Sequence, residues 1–236
     1  MAGIGLLETQ GLTRHFGGLR AVEAVDFTLN TGQIHALIGP NGAGKTTFVG
    51  LLCGRVPVQA GTIHFDGQDI THMPAHLRVR AGIAYTFQIT SIFRGLSVFD
   101  NVALAAQRPS RHDLGAATKH ILQQVGLESQ INQQADTLSY GHQRLLEIAM
   151  GLALRPRLLI LDEPTQGLSN AEITGFKALV RAVVPQTTVL LIEHNMDVVM
   201  DLADQITVLN MGQTLATGTP ATIQANAAVQ SAYLGG

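Results

Sequence analysis

The chain is expected to fold as an α/β domain around a mainly parallel core sheet, and three observations carry that expectation. Three short apolar runs, Ile34 to Ile38, Leu158 to Leu161 and Val189 to Ile192, each end in glycine or polar residues. Unbroken apolarity over so few residues marks strands buried on both faces. Between the second and third runs, Ala171 to Val184 places Ile173, Phe176, Leu179, Val180 and Val183 on one helical stripe. The first run leads directly into Gly39-Pro40-Asn41-Gly42-Ala43-Gly44-Lys45-Thr46-Thr47, a G-x-x-x-x-G-K-[ST] pattern between a strand and a helical segment, Phe48 to Cys53. Such strand–helix–strand alternation implies right-handed crossovers, and ligands gather at the carboxyl ends of the strands.

Taken in order, residues 6–30 alternate apolar and polar positions around Leu12, Val22, Val25, Phe27 and Leu29, which predicts antiparallel strands turning at Gly17-Gly18. Phe16, just before that turn, fits either core packing or stacking on a flat ring. Gly61 to Asp66 reads as a strand and Asp66-Gly67 as its turn. Met73 to Arg80 reads as a short helix whose His76, Arg78 and Arg80 form a solvated face. Ile83 to Phe87 is strand-like and ends at Gln88, an amide free to bind a metal or a water. Residues 89–104 bring Ile89, Ile92, Phe93, Leu96, Val98 and Phe99 close together; they suit a small helical subdomain, a protein-docking surface, or both. Apolar residues recur at helical spacing from Ala116 to Val125 and from Gln143 to Leu154, and a fourth buried-type run, Ile206 to Leu209, follows.

At 236 residues the chain suits one large α/β domain. A formal charge of −2, with no Lys/Arg cluster, argues against a nucleic-acid partner held through phosphates. A single cysteine, Cys53, excludes an intrachain disulfide and a multi-cysteine metal site; it reads as a small buried hydrophobe. The N-terminus lacks a basic region followed by an apolar core, so no signal peptide is expected. No run reaches the ~18 apolar residues of a membrane span, so the positive mean hydropathy reflects buried strands.

The glycine-rich stretch has the chemistry of a phosphate cradle. Glycines at 39, 42 and 44 let successive backbone N–H groups converge on one concavity, with Asn41 and Ala43 between them, and the helix starting near Lys45 adds its positive end. Lys45 would reach terminal phosphates of a nucleotide, and the Thr46 hydroxyl, followed by Thr47, would ligate Mg²⁺. If the three buried strands are neighbours, Asp162 stands where it would hold Mg²⁺. Glu163 would polarise an attacking water, and His194 would hydrogen-bond that water or the γ-phosphate. Singly, Asp-Glu-Pro could be a strand-ending turn and His194 structural; together with the loop they form a constellation.

These residues resemble the motifs of the ATP-binding subunits of ABC transporters, from about residue 6 to the C-terminus. Gly39–Thr47 resembles Walker A, Leu158–Asp162 Walker B followed by the catalytic carboxylate Glu163, Gln88 the Q-loop glutamine and Ile192-Glu193-His194 the H-loop. Leu138-Ser139-Tyr140-Gly141-His142-Gln143, the most discriminating, resembles the signature. The resemblance implies a P-loop NTPase (ABC ATPase) fold with an N-terminal antiparallel β subdomain and a helical signature subdomain. One nucleotide-binding domain, 1–236, would comprise a RecA-like core with the antiparallel part, about 1–87 and 155–236, and a helical subdomain, about 88–154. It also implies ATP and Mg²⁺, adenine stacking by Phe16, Mg²⁺ sensing by Gln88, and contact of Ser139 and Gly141 with ATP bound to a second ATP-binding subunit. Two transmembrane permease subunits, a solute-binding protein in the wider complex and a peripheral place at the cytoplasmic face of the membrane follow from the same resemblance. Tyr140, His142 and Ser169 depart from the commonest pattern. Phe16-Gly17-Gly18-Leu19, Thr86-Phe87-Gln88 and the ending Ala232-Tyr233-Leu234-Gly235 resemble the branched-chain amino acid (LivG) type. Urea and short-amide importers have similar subunits. Soluble ABC ATPases acting on DNA or ribosomes carry a coiled-coil insertion or second cassette, which this sequence lacks.

Overall fold

In the computed structural model, residues 5–86, 91–107 and 114–234 are described. Strands β1 (Gly5–Phe16) and β2 (Leu19–Asn30) form the expected hairpin. The chain continues through β3 (Ile34–Ile38), α1 (Lys45–Leu52), β4 (Ala60–Phe65), β5 (Gln68–Asp69), α2 (Ala75–Ala81) and β6 (Ile83–Tyr85). Helices α3 (Val98–Ala106), α4 (Leu114–Gln124) and α5 (Tyr140–Ala153) then run together before β7 (Leu158–Asp162), α6 (Asn170–Val183), β8 (Thr188–Ile192) and α7 (Met196–Leu202). Strands β9 (Gln205–Asn210) and β10 (Gln213–Gly218) and the short helices α8 (Pro220–Gln224) and α9 (Ala227–Leu234) complete the chain.

The described strands form two sheets, one antiparallel in the order β2-β1-β4-β5, the other in the order β10-β9-β3-β8-β7-β6. In the second, β9, β3, β8, β7 and β6 are parallel and only β10 runs against its neighbour. The apolar runs are unbroken because adjacent residues feed opposite cores. Leu158, Ile160, Leu190 and Ile192 face the core shared with α1 and the antiparallel sheet. Leu159, Leu161, Val189 and Leu191 face the core shared with α3 to α6. The strands β3, β8 and β7 are therefore neighbours, and their carboxyl ends meet.

One expectation fails. Arg78 does not join a solvated face with His76 and Arg80 but is 2% exposed. Its guanidinium donates to Leu51 O (2.7 Å) and Leu52 O (2.8 Å) at the end of α1, and to Thr71 O (3.0 Å) and Met73 O (2.8 Å). A short helix leaves its last carbonyls without partners, and a planar five-donor fork satisfies several at once. Arg78 is thus the cap of the helix that begins at the glycine-rich loop. Cys53, immediately after α1, is buried as expected, and burial pushes its thiol up to about 12, keeping it protonated.

His35 in β3 is also buried, with Nε2 2.8 Å from Thr207 Oγ1 and its ring against Phe27. Burial pulls its imidazole down to about 4, so it is neutral at physiological pH. Among the described residues, no helix is long and apolar enough to cross a membrane.

Candidate nucleotide site

The loop between β3 and α1 is braced from outside before any ligand is considered. Gly39 lies against the backbone of β9, where an added Cβ would stand 2.2 Å from Leu209 O. Gly44 adopts φ 103° against β2, where an added Cβ would stand 2.2 Å from Ala21 O. No other residue fits either place. Gly212, in the turn between β9 and β10, donates to Ala43 O (3.0 Å) and accepts from Glu23 N (2.8 Å). The loop is held on two sides, which leaves its remaining amides for an anion.

Lys45 is 8% exposed, with Nζ donating to Gly39 O (2.7 Å) and Pro40 O (3.2 Å). Burial pulls its ammonium below the usual lysine range, and the nearby Glu163 and Asp162 carboxylates oppose that pull. Asp162 ends β7 opposite Ile192 of β8 and is buried. Burial raises its pKa; the Tyr85 hydroxyl, donating to Asp162 Oδ2 at 2.6 Å, acts in the opposite direction. Tyr85 itself lies under the Arg55 guanidinium, 4.1 Å from its ring centre. Neither Tyr85 nor Arg55 was singled out in the sequence. The one signal for Tyr85 was a phenol in the strand-like run Ile83 to Phe87; its partner Asp162 is set by the pairing of β6 with β7.

Glu163 has a left-handed backbone, φ 49°, with its N–H donating to Ile192 O (2.8 Å). A non-glycine residue in that region costs about 1 kcal/mol or more, and here the turn aims the carboxylate back over the sheet end. Glu163 Oε1 lies 3.0 Å from His194 Nε2. A cavity of about 320 Å³ opens between these groups, floored by Asn41 to Thr47, walled by Leu19 and Ala21, and rimmed by Glu163, Ile192 and His194.

Gly39, Asn41, Gly42, Ala43, Gly44, Lys45, Thr46, Thr47, Asp162, Glu163 and His194 therefore gather at one end of the sheet. Phe16 does not line the cavity; its neighbour across the hairpin, Leu19, does. At 45% exposure, beneath the Arg14 guanidinium, Phe16 is not a core residue. Gln88 lies outside the described residues.

Ser139 and Gly141 stand elsewhere, at the start of α5. Ser139 caps that helix, accepting from His142 N (3.3 Å). Its neighbours pack against the start of α6 in the same chain: the Tyr140 ring lies against Gly167, and the Glu172 carboxylate covers Gly141. Ser169 and Glu172 form a capping box. Two of the departures from the commonest pattern, Tyr140 and Ser169, thus meet across one contact zone. Ser169 performs as an N-cap, a place that Asp fills equally well.

The donor set suits Mg²⁺. Asp162 offers a buried carboxylate and Thr46 an exposed hydroxyl at the loop, hard oxygens of the kind Mg²⁺ takes alongside substrate phosphates. Among the described residues no cluster of three His, Cys, Asp or Glu side chains could hold a metal alone.

Comparison with known proteins agrees with this geometry. Residues 22–166 match the ABC transporter family, and residues 213–236 match the branched-chain amino acid ATP-binding cassette transporter family. The chain is 40% identical to the high-affinity branched-chain amino acid transport ATP-binding protein BraF of Pseudomonas aeruginosa, over 98% of each chain. It is 39% identical to LivG of Escherichia coli K12, again over 98% of each. The solved structure of the ADP conformation of MJ1267, an ATP-binding cassette of an ABC transporter, superposes with a TM-score of 0.90 at 25% identity, covering 99% of this chain and 100% of that one. With the phosphate loop, the acidic strand end and the helical signature segment in place, the chain belongs to the ABC transporter family and is one of its nucleotide-binding, ATP-hydrolysing subunits.

Proposed function

We propose that this cassette powers the import of branched-chain amino acids through a membrane permease, and that hydrolysis is carried by Glu163 and His194 above the phosphate loop. The observation that carries the site assignment is the 3.0 Å Glu163–His194 pair on the rim of the cavity floored by Asn41 to Thr47. Lys45 and the loop amides bind the terminal phosphates of ATP. Thr46 and Asp162, with Gln88, would hold Mg²⁺, which when bound neutralises charge on those phosphates. Glu163 takes the proton of the attacking water, and His194 fixes the carboxylate. Phe16, exposed at the hairpin tip, stacks on the adenine.

Ser139 and Gly141 do not line their own chain's cavity, so they serve ATP bound to a second ATP-binding subunit in a head-to-tail dimer. The proposed organisation is one nucleotide-binding domain with a helical part spanning about 88–154. Family membership implies permease partners. The proposed contact with two such subunits lies on that helical part, where Phe93 is 51% and Leu104 46% exposed while Val98 is buried. Phe99 packs against the core instead. The proposed position of the subunit is peripheral, on the cytoplasmic face, with a solute-binding protein in the wider complex. Similarity to BraF and LivG, together with the C-terminal match, favours amino acids over urea or short amides.

The test is ATP-dependent uptake by the complex assembled with its co-purifying permease: labelled leucine should accumulate and labelled urea should not. The reverse result would transfer the chain to an amide importer. A Phe93→Glu variant should lose uptake while the subunit alone still hydrolyses ATP.

A further inference from the structure

Between the hydrolytic pair lies a residue whose type the chemistry above does not require. Glu193 follows the last residue of β8 and precedes His194; it is 3% exposed. Its Oε1 accepts from Thr165 N (3.0 Å) and from the Thr165 hydroxyl. Its Oε2 accepts from His194 N (2.7 Å) and Asn195 N (3.0 Å). Both oxygens are thus engaged, one by the segment that leaves β7 and the other by the segment that leaves β8. Thr165 is two residues beyond Glu163, and Pro164 between them has no N–H to contribute.

We propose that Glu193 is a positioning residue for ATP hydrolysis, a buried carboxylate clamp that fixes the segment carrying Glu163 to the segment carrying His194. The inference rests on the reading of Glu163 and His194 as the hydrolytic pair. Bonds to an ionised acceptor are about twice as strong as neutral ones, and four of them converge here. The need for such a brace is visible at Glu163, which holds a left-handed backbone that a non-glycine residue leaves readily unless its surroundings over-determine it. Beyond Glu163 the chain has left the sheet, and the clamp at Thr165 is what returns it to β8. His194 is fixed in the same way, through its own N–H and that of the following residue. The carboxylate is needed as such. In the isosteric amide, whichever oxygen becomes –NH₂ faces at least one backbone N–H with a donor of its own, even where the Thr165 hydroxyl turns to accept, so one side of the clamp loosens while side-chain volume is kept.

The test is steady-state hydrolysis by the full chain carrying Glu193→Gln, with nucleotide-binding stoichiometry and melting temperature measured on the same preparation. The expected result is a fall in kcat of about tenfold or more, from the loss of charge-assisted bonds on one side, with KM for ATP changed less than about twofold. Loss of rate in step with loss of binding sites would show a purely structural role and overturn the proposal, as would an unchanged kcat. If Glu193→Gln does not fold, Thr165→Val removes a single hydroxyl donor. It should lower kcat by about threefold or more, with recovery in Thr165→Ser; a wild-type rate in Thr165→Val would overturn the clamp. Glu163→Gln is measured alongside. An active Glu163→Gln would remove the hydrolytic pair and with it the ground for the clamp, whereas an inactive Glu163→Gln beside a fully active Glu193→Gln would remove the clamp alone.

Discussion

The strand ends of the parallel sheet and the start of α5 both carry nucleotide motifs, yet they are built in opposite ways. At the strand ends, Lys45, Glu163 and His194 line one cavity and Asp162 is buried at the end of β7, each fixed by bonds from its own chain. At the start of α5, Ser139 is exposed and its hydroxyl caps its own helix. The first region brings its groups together within one chain, whereas the second, on the proposed reading, meets phosphate only from another subunit. Binding of nucleotide should therefore depend on the first alone, and turnover on both.

Substitutions that separate binding from turnover test that division. Glu163→Gln removes the proton acceptor while keeping shape. Turnover should fall about 10³-fold, within the range of general-base contributions, while calorimetry shows ATP affinity unchanged. Near-normal hydrolysis would take Glu163 out of the mechanism. Lys45→Ala should instead weaken ATP binding by about 100-fold, the loss of charge-assisted bonds to phosphate. Unchanged affinity would end the cradle assignment. Arg78→Ala acts on neither chemistry but strips the cap from α1, removing the bonds its guanidinium donates to four backbone carbonyls. A stability loss of about 3 kcal/mol is expected in denaturant titration, and a loss near zero would mean that water replaces the guanidinium. Ser139→Ala should lower turnover about tenfold while ATP affinity stays as in the parent. A parallel loss of affinity would place Ser139 at its own chain's nucleotide and abolish the contrast between the two regions.

The same contrast governs how much could be read from the sequence. The strand-end site was legible because its signals are local: an apolar run tells that a strand is buried, and the polar residue after it tells what the sheet end carries. The Gly17-Gly18 turn and the stripe on α6 were legible for the same reason, since period and turn chemistry are properties of a few consecutive residues. Arg78 was not, because its partners at the end of α1, Leu51 and Leu52, are distant in sequence and its neighbours His76 and Arg80 do lie in solvent. Tyr85 and Glu193 escaped likewise; a polar residue's role is set by which strand the topology brings beside it. The exposure of Phe16 was equally a matter of tertiary placement, and the sequence had left packing and stacking open.

The smallest effect expected belongs to the sheet side and is a matter of pH. His35 stands in β3, the strand that delivers the phosphate loop, with its imidazole pressed between Phe27 and Thr207. Burial holds its folded pKa near 4, against 6.5 when exposed. The unfolded chain therefore takes up a proton below pH 6.5 that the folded chain refuses until about pH 4, so stability falls as pH is lowered through that window. Between pH 7 and 5.5 this linkage removes about 1 kcal/mol, a shift measurable as a lower denaturation midpoint. His35→Gln lacks the titration, so its stability should change less over the same interval. Equal slopes for parent and variant would mean that His35 protonates in place, with the sheet yielding around it.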